Sequence, residues 1–313
     1  MKVDKNYFPG FTRKSITFTI DDGNIPLDKK FIDIVKPHGI KGTFNLCAPN
    51  LKKYSADFYR EMYAGFGISN HCKYHPFAET PDKWRELSEE KFDAETADKS
   101  KIYKTDYEGL YHFSTERGWR KFATDEAYCR LVDECKAELE AVFGEGSVTT
   151  FVWPFCEQMN PVVNDYVVNK SGNTAVRRSG SVGNSTAYAV PEDRKHWGYN
   201  AKHNELLECA RDYEAFADDG ELKFFCFGVH AHDFENNNMW HVLEEFAITY
   251  GDRENDFWYA SVEEIFAYKD ASDKLIITET SVENPTDIDL YIKIDGKPTV
   301  VKAGERIGAA DPQ

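Results

Sequence analysis

From residue 15 to residue 268, strand-like runs alternate with helix-like segments, and no other feature of the chain constrains its fold as tightly. The run from Ser15 to Ile20 alternates polar and apolar side chains and stops at Asp21-Asp22-Gly23, so it reads as a strand ending in a glycine turn. Leu27, Phe31, Ile34 and Val35 then recur at helical spacing, and Gly39 stops that helix. The succession continues with strand 42–46, helix 56–64, strand 66–70 and helix 125–143, whose Leu131, Val132, Cys135, Leu139 and Val142 share one face. Strand 147–153, helix 161–170, strand 174–178 and helix 205–217 follow, and then the almost continuously apolar run 222–228, which suits a strand covered on both faces. Helix 239–250, strand 257–259 and helix 262–268 complete the series. This order predicts an α/β fold with a mostly parallel sheet closed as a barrel. Chemistry in such folds sits at the carboxyl ends of the strands, where Asp21-Asp22, His71, Pro154 and His230 fall.

Two segments depart from the alternation. Residues 80–124 are polar and weakly periodic, and read as an inserted, partly helical lid. From Lys274 the runs become alternating or β-branched, and Asp295-Gly296 between the last two marks a β-hairpin. The expected division is a barrel over residues 1–270, with the lid at 80–124, and a small antiparallel β appendage over 271–313.

Composition narrows the partners. Thirty-eight basic against fifty-four acidic side chains give a formal charge of −16, which argues against nucleic acid. A strongly anionic polysaccharide fits only if basic residues cluster locally; a neutral or partly acetylated ligand fits better. The 14% of aromatic residues suit sugar recognition, although most belong to core and surface. No run is long enough to span a bilayer, the start lacks a signal-peptide core, and the seven cysteines (47, 72, 129, 135, 156, 209, 226) have no CxxC spacing. The expectation is a cytoplasmic protein with reduced thiols that acts away from membranes. Its oligomeric state is left open.

Adjacent carboxylates repel, and a divalent cation relieves the repulsion. Asp21-Asp22 at a strand end therefore reads as one metal ligand beside one free base. His71 and His75 are four residues apart, and on a helical turn they would lie on one side, close enough to share an ion. Two histidines and one aspartate leave positions open for water and substrate, as a catalytic zinc-type centre requires. His230, just beyond the most buried-looking strand, then reads as a general acid, with His232 as competitor.

At these residues the chain resembles the polysaccharide deacetylases, the NodB-homology or carbohydrate esterase family 4 enzymes. Thr19-Ile20-Asp21-Asp22-Gly23 is similar to their T-F-D-D-G motif, and Asn70-His71-Cys72-Lys73-Tyr74-His75 to N-H-[S/T]-x-x-H. Phe151-Val152-Trp153-Pro154-Phe155 resembles the third motif, Asp193–Trp197 the fourth and Val229-His230 the fifth.

The resemblance implies a distorted (β/α) barrel of the NodB-homology type that removes N- or O-linked acetyl groups from an oligo- or polysaccharide. It implies Asp22, His71 and His75 as ligands of a divalent metal, usually zinc, with cobalt, nickel or manganese as alternatives. Asp21 would be the base that deprotonates the bound water, and His230 the acid. The Phe155 N–H would face the oxyanion, Trp153 and Trp197 would contact substrate, with Trp197 as a wall for the acetyl methyl, and Asp193 would orient His230. Two departures stand out. Val152 replaces the motif arginine that pairs with the base, for which Arg177 is a candidate substitute, and Cys72 replaces a hydroxyl residue and is expected to pack. The alternatives are a cyclic-amide hydrolase of the same superfamily and a catalytically silent carbohydrate-binding relative.

Overall fold

In the computed structural model, which describes residues 1–78, 85–155, 160–181 and 188–308, seven parallel strands form a nearly closed barrel. They are β1 (Lys14–Asp22), β2 (Thr43–Leu46), β3 (Gly67–Asn70), β4 (Thr150–Val152), β5 (Ala175–Ser181), β6 (Trp197–Tyr199) and β7 (Lys223–His230). Their order is β6-β5-β4-β3-β2-β1-β7. The ring closes where the Asn200 N–H donates to the Cys226 carbonyl at 2.7 Å and the Gly228 N–H to the Ala201 carbonyl at 3.0 Å. An eighth strand, β8 (Phe257–Tyr259), pairs with the start of β1.

Alternation along β1 shows what separates inside from outside. Ile16, Phe18 and Ile20 join the main apolar core with Phe31, Phe44 and Phe227, and their rings interlock edge to face. The opposite face carries Ser15, Thr17, Thr19 and Asp21, all buried inside the barrel. The helix Val262–Asp273 lies at the other end of the barrel from the site. There Thr43 and Thr150, at the starts of β2 and β4, each donate at 2.6 Å to Glu263. A polar lumen on a sealed apolar shell leaves the open end for chemistry.

The lid differs from expectation. Its described residues form a four-stranded sheet, Leu87–Ser88, Ile102–Lys104, Leu110–Thr115 and Gly118–Ala123, and contain no helix. Tyr111, His112, Phe113 and Ser114 alternate aromatic and polar at period two, which favours a strand over a helix there, whereas Trp119, Arg120, Lys121 and Phe122 on the partner strand show no such alternation. The C-terminal hairpin forms as expected, with Asp295 (φ 49°) and Gly296 (φ 82°) both left-handed in its turn. Its strand Leu290–Ile294 also pairs with Val3–Tyr7 from the other end of the chain, which sequence reading missed. A further small sheet unites Ile276–Ile277, Ser281–Glu283 and Arg306–Gly308. The strand β6 also went unread, because three residues are too short to show a period. Cys156, the start of the expected lid at 80–84 and the tail 309–313 lie outside the described residues. Among the described residues no helix is long and apolar enough to cross a membrane.

Candidate active site

Parallel register brings the chemical residues to one level at the barrel mouth. His230 is the ladder partner of Asp21, Asp21 of Asn45, Asp22 of Leu46, and Arg177 of Val152. At the end of β1 the backbone turns left-handed at Asp22 (φ 81°) and Gly23 (φ 75°), a conformation open to glycine and tolerated by aspartate. The two carboxylates therefore part company. Asp21 points into the lumen and Asp22 swings to the rim.

The His71–His75 segment is not the helical turn its spacing suggests. Cys72 (φ 59°), Tyr74 (φ 66°) and His75 (φ 52°) are all left-handed, and the resulting loop brings the two rings to 4.8 Å. His71 Nδ1 meets the Val152 carbonyl at 2.9 Å, so Nδ1 carries the proton and the buried Nε2 is left with no hydrogen-bond partner. Asp22 Oδ1 lies 3.5 Å from both His71 Nε2 and His75 Nε2. That is the spacing of donors each about 2 Å from a shared ion. Burial, aided by His71, holds His75 down at about 4, so its ring is neutral and ready to ligate near pH 7. The orphaned Nε2 and the convergence of three donor atoms fit a divalent cation. Cys72 packs, buried in the apolar cluster with Tyr128 and Leu131.

Asp21 is held from two sides. Asn45 donates to Oδ1 at 2.6 Å, and Arg177 donates to the same oxygen from β5. Burial alone would raise this carboxyl; the Arg177 guanidinium, with His71 and His230, keeps it below the ordinary range. The cation missing at Val152 thus comes from its ladder partner on the next strand. Arg177 itself is buried 5.4 Å beneath the Tyr199 ring centroid. Gly228 makes room for that ring, since a Cβ there would lie 2.0 Å from Tyr199 Cδ1.

His230 stands with Nε2 3.9 Å from Asp22 Oδ2. Asp233 accepts from its Nδ1 at 3.0 Å and from its backbone N–H at 2.9 Å. Burial would lower this imidazole, but Asp233, Asp21 and Asp22 raise it to about 9. Asp193 does not perform the orienting role expected of it. It accepts from the Lys195 N–H and His196 Nδ1 at the surface. His232 stacks on His230, with ring centroids 4.6 Å apart.

A cleft of about 1000 Å³ opens over these groups. Trp153 and Phe155 line it, and Phe155 stacks on Phe77 at 3.8 Å and meets His75 at 4.3 Å. Trp197 does not line it; the ring is buried against Phe224 and Phe266, two residues deeper along β6, and Tyr199 occupies the wall instead. Sequence reading missed Asn45, Asp233 and Tyr199. Only Asn45 left a signal, a lone amide inside the apolar strand Thr43–Leu46.

Residues 9–176 match the family model described as polysaccharide deacetylase. Among curated proteins no sequence matches. Solved structures with a similar course include the Xyl-CE4 domain of a multidomain xylanase from the hindgut metagenome of Trinervitermes trinervoides, at 13% identity, TM-score 0.46, covering 83% of this chain and 93% of that one. A polysaccharide deacetylase from Bacillus cereus aligns at 15% identity and TM-score 0.44, covering 80% and 92%. A family 4 acetyl xylan esterase from Clostridium thermocellum, in complex with a cobalt ion, aligns at 12% identity and TM-score 0.43, covering 82% and 92%.

Proposed function

We propose, from the premise that this chain belongs to the polysaccharide deacetylase family and is a carbohydrate esterase, that it hydrolyses acetyl groups from a saccharide with the help of a divalent metal. What supports the reading is the convergence of three metal-donor side chains, a lumenal carboxylate and a carboxylate-oriented histidine at one mouth of the barrel. Asp22, His71 and His75 would hold the metal, with zinc the expected ion. When bound, the metal would polarise the acyl carbonyl and make water a better nucleophile.

The chain's own groups handle the protons. Asn45 and Arg177 occupy Oδ1 of Asp21, so Oδ2 is the atom that takes the proton of the attacking water. The Arg177 charge keeps Asp21 ionised in its buried site. His230 delivers a proton from Nε2 to the departing sugar oxygen or amine, while Asp233 fixes the ring through Nδ1. Phe155, in a left-handed backbone (φ 61°) beside His75, is the proposed source of an N–H for the developing oxyanion. Trp153 and Tyr199 wall the acetyl group.

The test is acetate release from acetyl-xylan, chitooligosaccharides and peptidoglycan fragments, with and without added zinc. Asp21→Asn is expected to lower turnover by about a hundredfold or more while the metal content stays near one per chain. Full activity in that variant overturns the assignment of the base.

A further inference from the structure

The cleft is ringed by cations that the chemistry does not use. Arg117, Arg120 and Lys121 reach it from the hairpin Leu110–Thr115/Gly118–Ala123, and Lys202 from the loop after β6. Among the described residues none of the four forms an ion pair with a carboxylate, in a chain whose formal charge is −16. Among the described residues the carboxylates lining the cleft are Asp21, Asp22 and Asp233, and each is engaged with Arg177, the histidine pair or His230.

Lys121 is the sharpest of these cations. It is half-buried, sits 5.0 Å over the Tyr74 ring and faces His112 across the hairpin, and lost hydration lowers its pKa. A partly dehydrated ammonium with no carboxylate partner among the described residues is costly until an anion arrives. Its position is also central. A second cleft of about 640 Å³, holding Asn50 and Lys53, shares Asp22, Tyr74, His75, Lys121 and His232 with the first. A ligand long enough to enter both arms passes Lys121 beside the metal donors. Trp119, on the same hairpin face and edge-on to Phe92 at 4.9 Å, adds an aromatic surface for a sugar ring.

Resting on the deacetylase reading above, we propose that the substrate is an acidic saccharide, whose sugar carboxylate pairs with Lys121 and the flanking Arg120, Arg117 and Lys202 while its acetyl group reaches the metal donors. The overall negative charge that disfavours polyanions is locally reversed at this mouth. It still repels a highly charged polymer at long range, so a short acidic oligosaccharide fits best.

The experiment is calorimetric binding to the zinc-loaded full chain, with trigalacturonate as the acidic probe, xylotriose and chitotriose as neutral probes, and glucose 6-phosphate as the phosphate probe. Trigalacturonate is expected to bind at least tenfold tighter than either neutral trimer, with an affinity that falls as salt is raised while the neutral affinities stay flat. Lys121→Met and, separately, Lys202→Met are expected to shrink that ratio, Lys121→Met to within about threefold of unity. Equal affinity for acidic and neutral trimers in the wild-type protein overturns the proposal, as does a preference untouched by both substitutions. Tighter binding of the sugar phosphate overturns the carboxylate assignment. Binding is read without turnover, so the two ideas fail separately. Acidic preference without acetate release from any substrate sinks the deacetylase reading and leaves the charge inference standing; release from neutral glycans with no acidic preference does the reverse.

Discussion

Arg177 and Asp21, 156 residues apart, meet inside the barrel lumen as a buried ion pair, and Asn45 completes the clamp on the same carboxylate oxygen. A pair like this is asymmetric: both partners together are tolerated, and either alone is an uncompensated buried charge.

Arg177→Met is therefore expected to cost about 3–5 kcal/mol of stability, far more than a surface arginine would. Asp21→Asn in the same chain should recover most of that loss, because the charge left behind is removed. Urea unfolding of the two single variants and the double variant measures the coupling. Strictly additive losses would show that the pair is not a unit.

Gly228→Ala should disturb the site without touching a chemical group. The new Cβ would meet the Tyr199 ring at 2.0 Å, and Tyr199 is the roof over Arg177. Overpacking of this kind costs about 1–3 kcal/mol, and acetate release should fall with it. Adding Tyr199→Ala should relieve the clash, so the double variant ought to be more stable than the sum of its parts predicts. Melting temperatures of the four proteins decide the matter.

A pH effect arises in the helix that follows Asp22, whose charge adds to the effect of burial there. Asp28, on the helix Ile25–Val35, is fully buried, with its Oδ2 accepting from the Tyr63 hydroxyl at 2.7 Å and its Oδ1 unpartnered. Burial pushes its carboxyl from 3.8 up to about 8. The folded state therefore holds a proton that the unfolded chain releases. The stability this group contributes is complete below pH 3.8 and is lost as pH rises to about 8. Asp28→Asn cannot ionise, so its stability relative to wild type should climb between pH 5 and pH 8, at about 1 kcal/mol per pH unit. Denaturant midpoints at pH 5, 6.5 and 8 provide the check; a constant difference would mean that Asp28 is already ionised in the fold.

Much of this arrangement is legible in one dimension. The strand–helix alternation carries the barrel, and Asp21-Asp22, the His71–His75 spacing and His230 are local patterns at strand ends. What resists reading is whatever depends on closure. Arg177 touches Asp21 only because the sheet curls until β5 faces β1, and Asp233 replaces Asp193 because a tight helical turn after β7 brings it back to His230. Trp197 looked substrate-facing from its place in a motif, yet its depth along β6 buries it in the core. The His71–His75 loop misled through its backbone, since spacing reports distance along a chain and says nothing about left-handed residues.

The ladder joining β1 to β7 has a further consequence. Its eight paired positions run from Lys14–Lys223 to Asp21–His230, so the backbones that carry Asp21 and His230 are held one interstrand spacing apart, about 4.8 Å. A slip of one residue would turn every side chain of one strand to the other face, so this gap cannot drift by small steps. With Asp21 and His230 in their proposed roles, the pair forms a fixed jaw, and the hairpin that lines the cleft beside it is the part free to set selectivity. Grafting a different hairpin between Leu110 and Ala123 is then a route to new glycans that leaves the cutting edge unaltered.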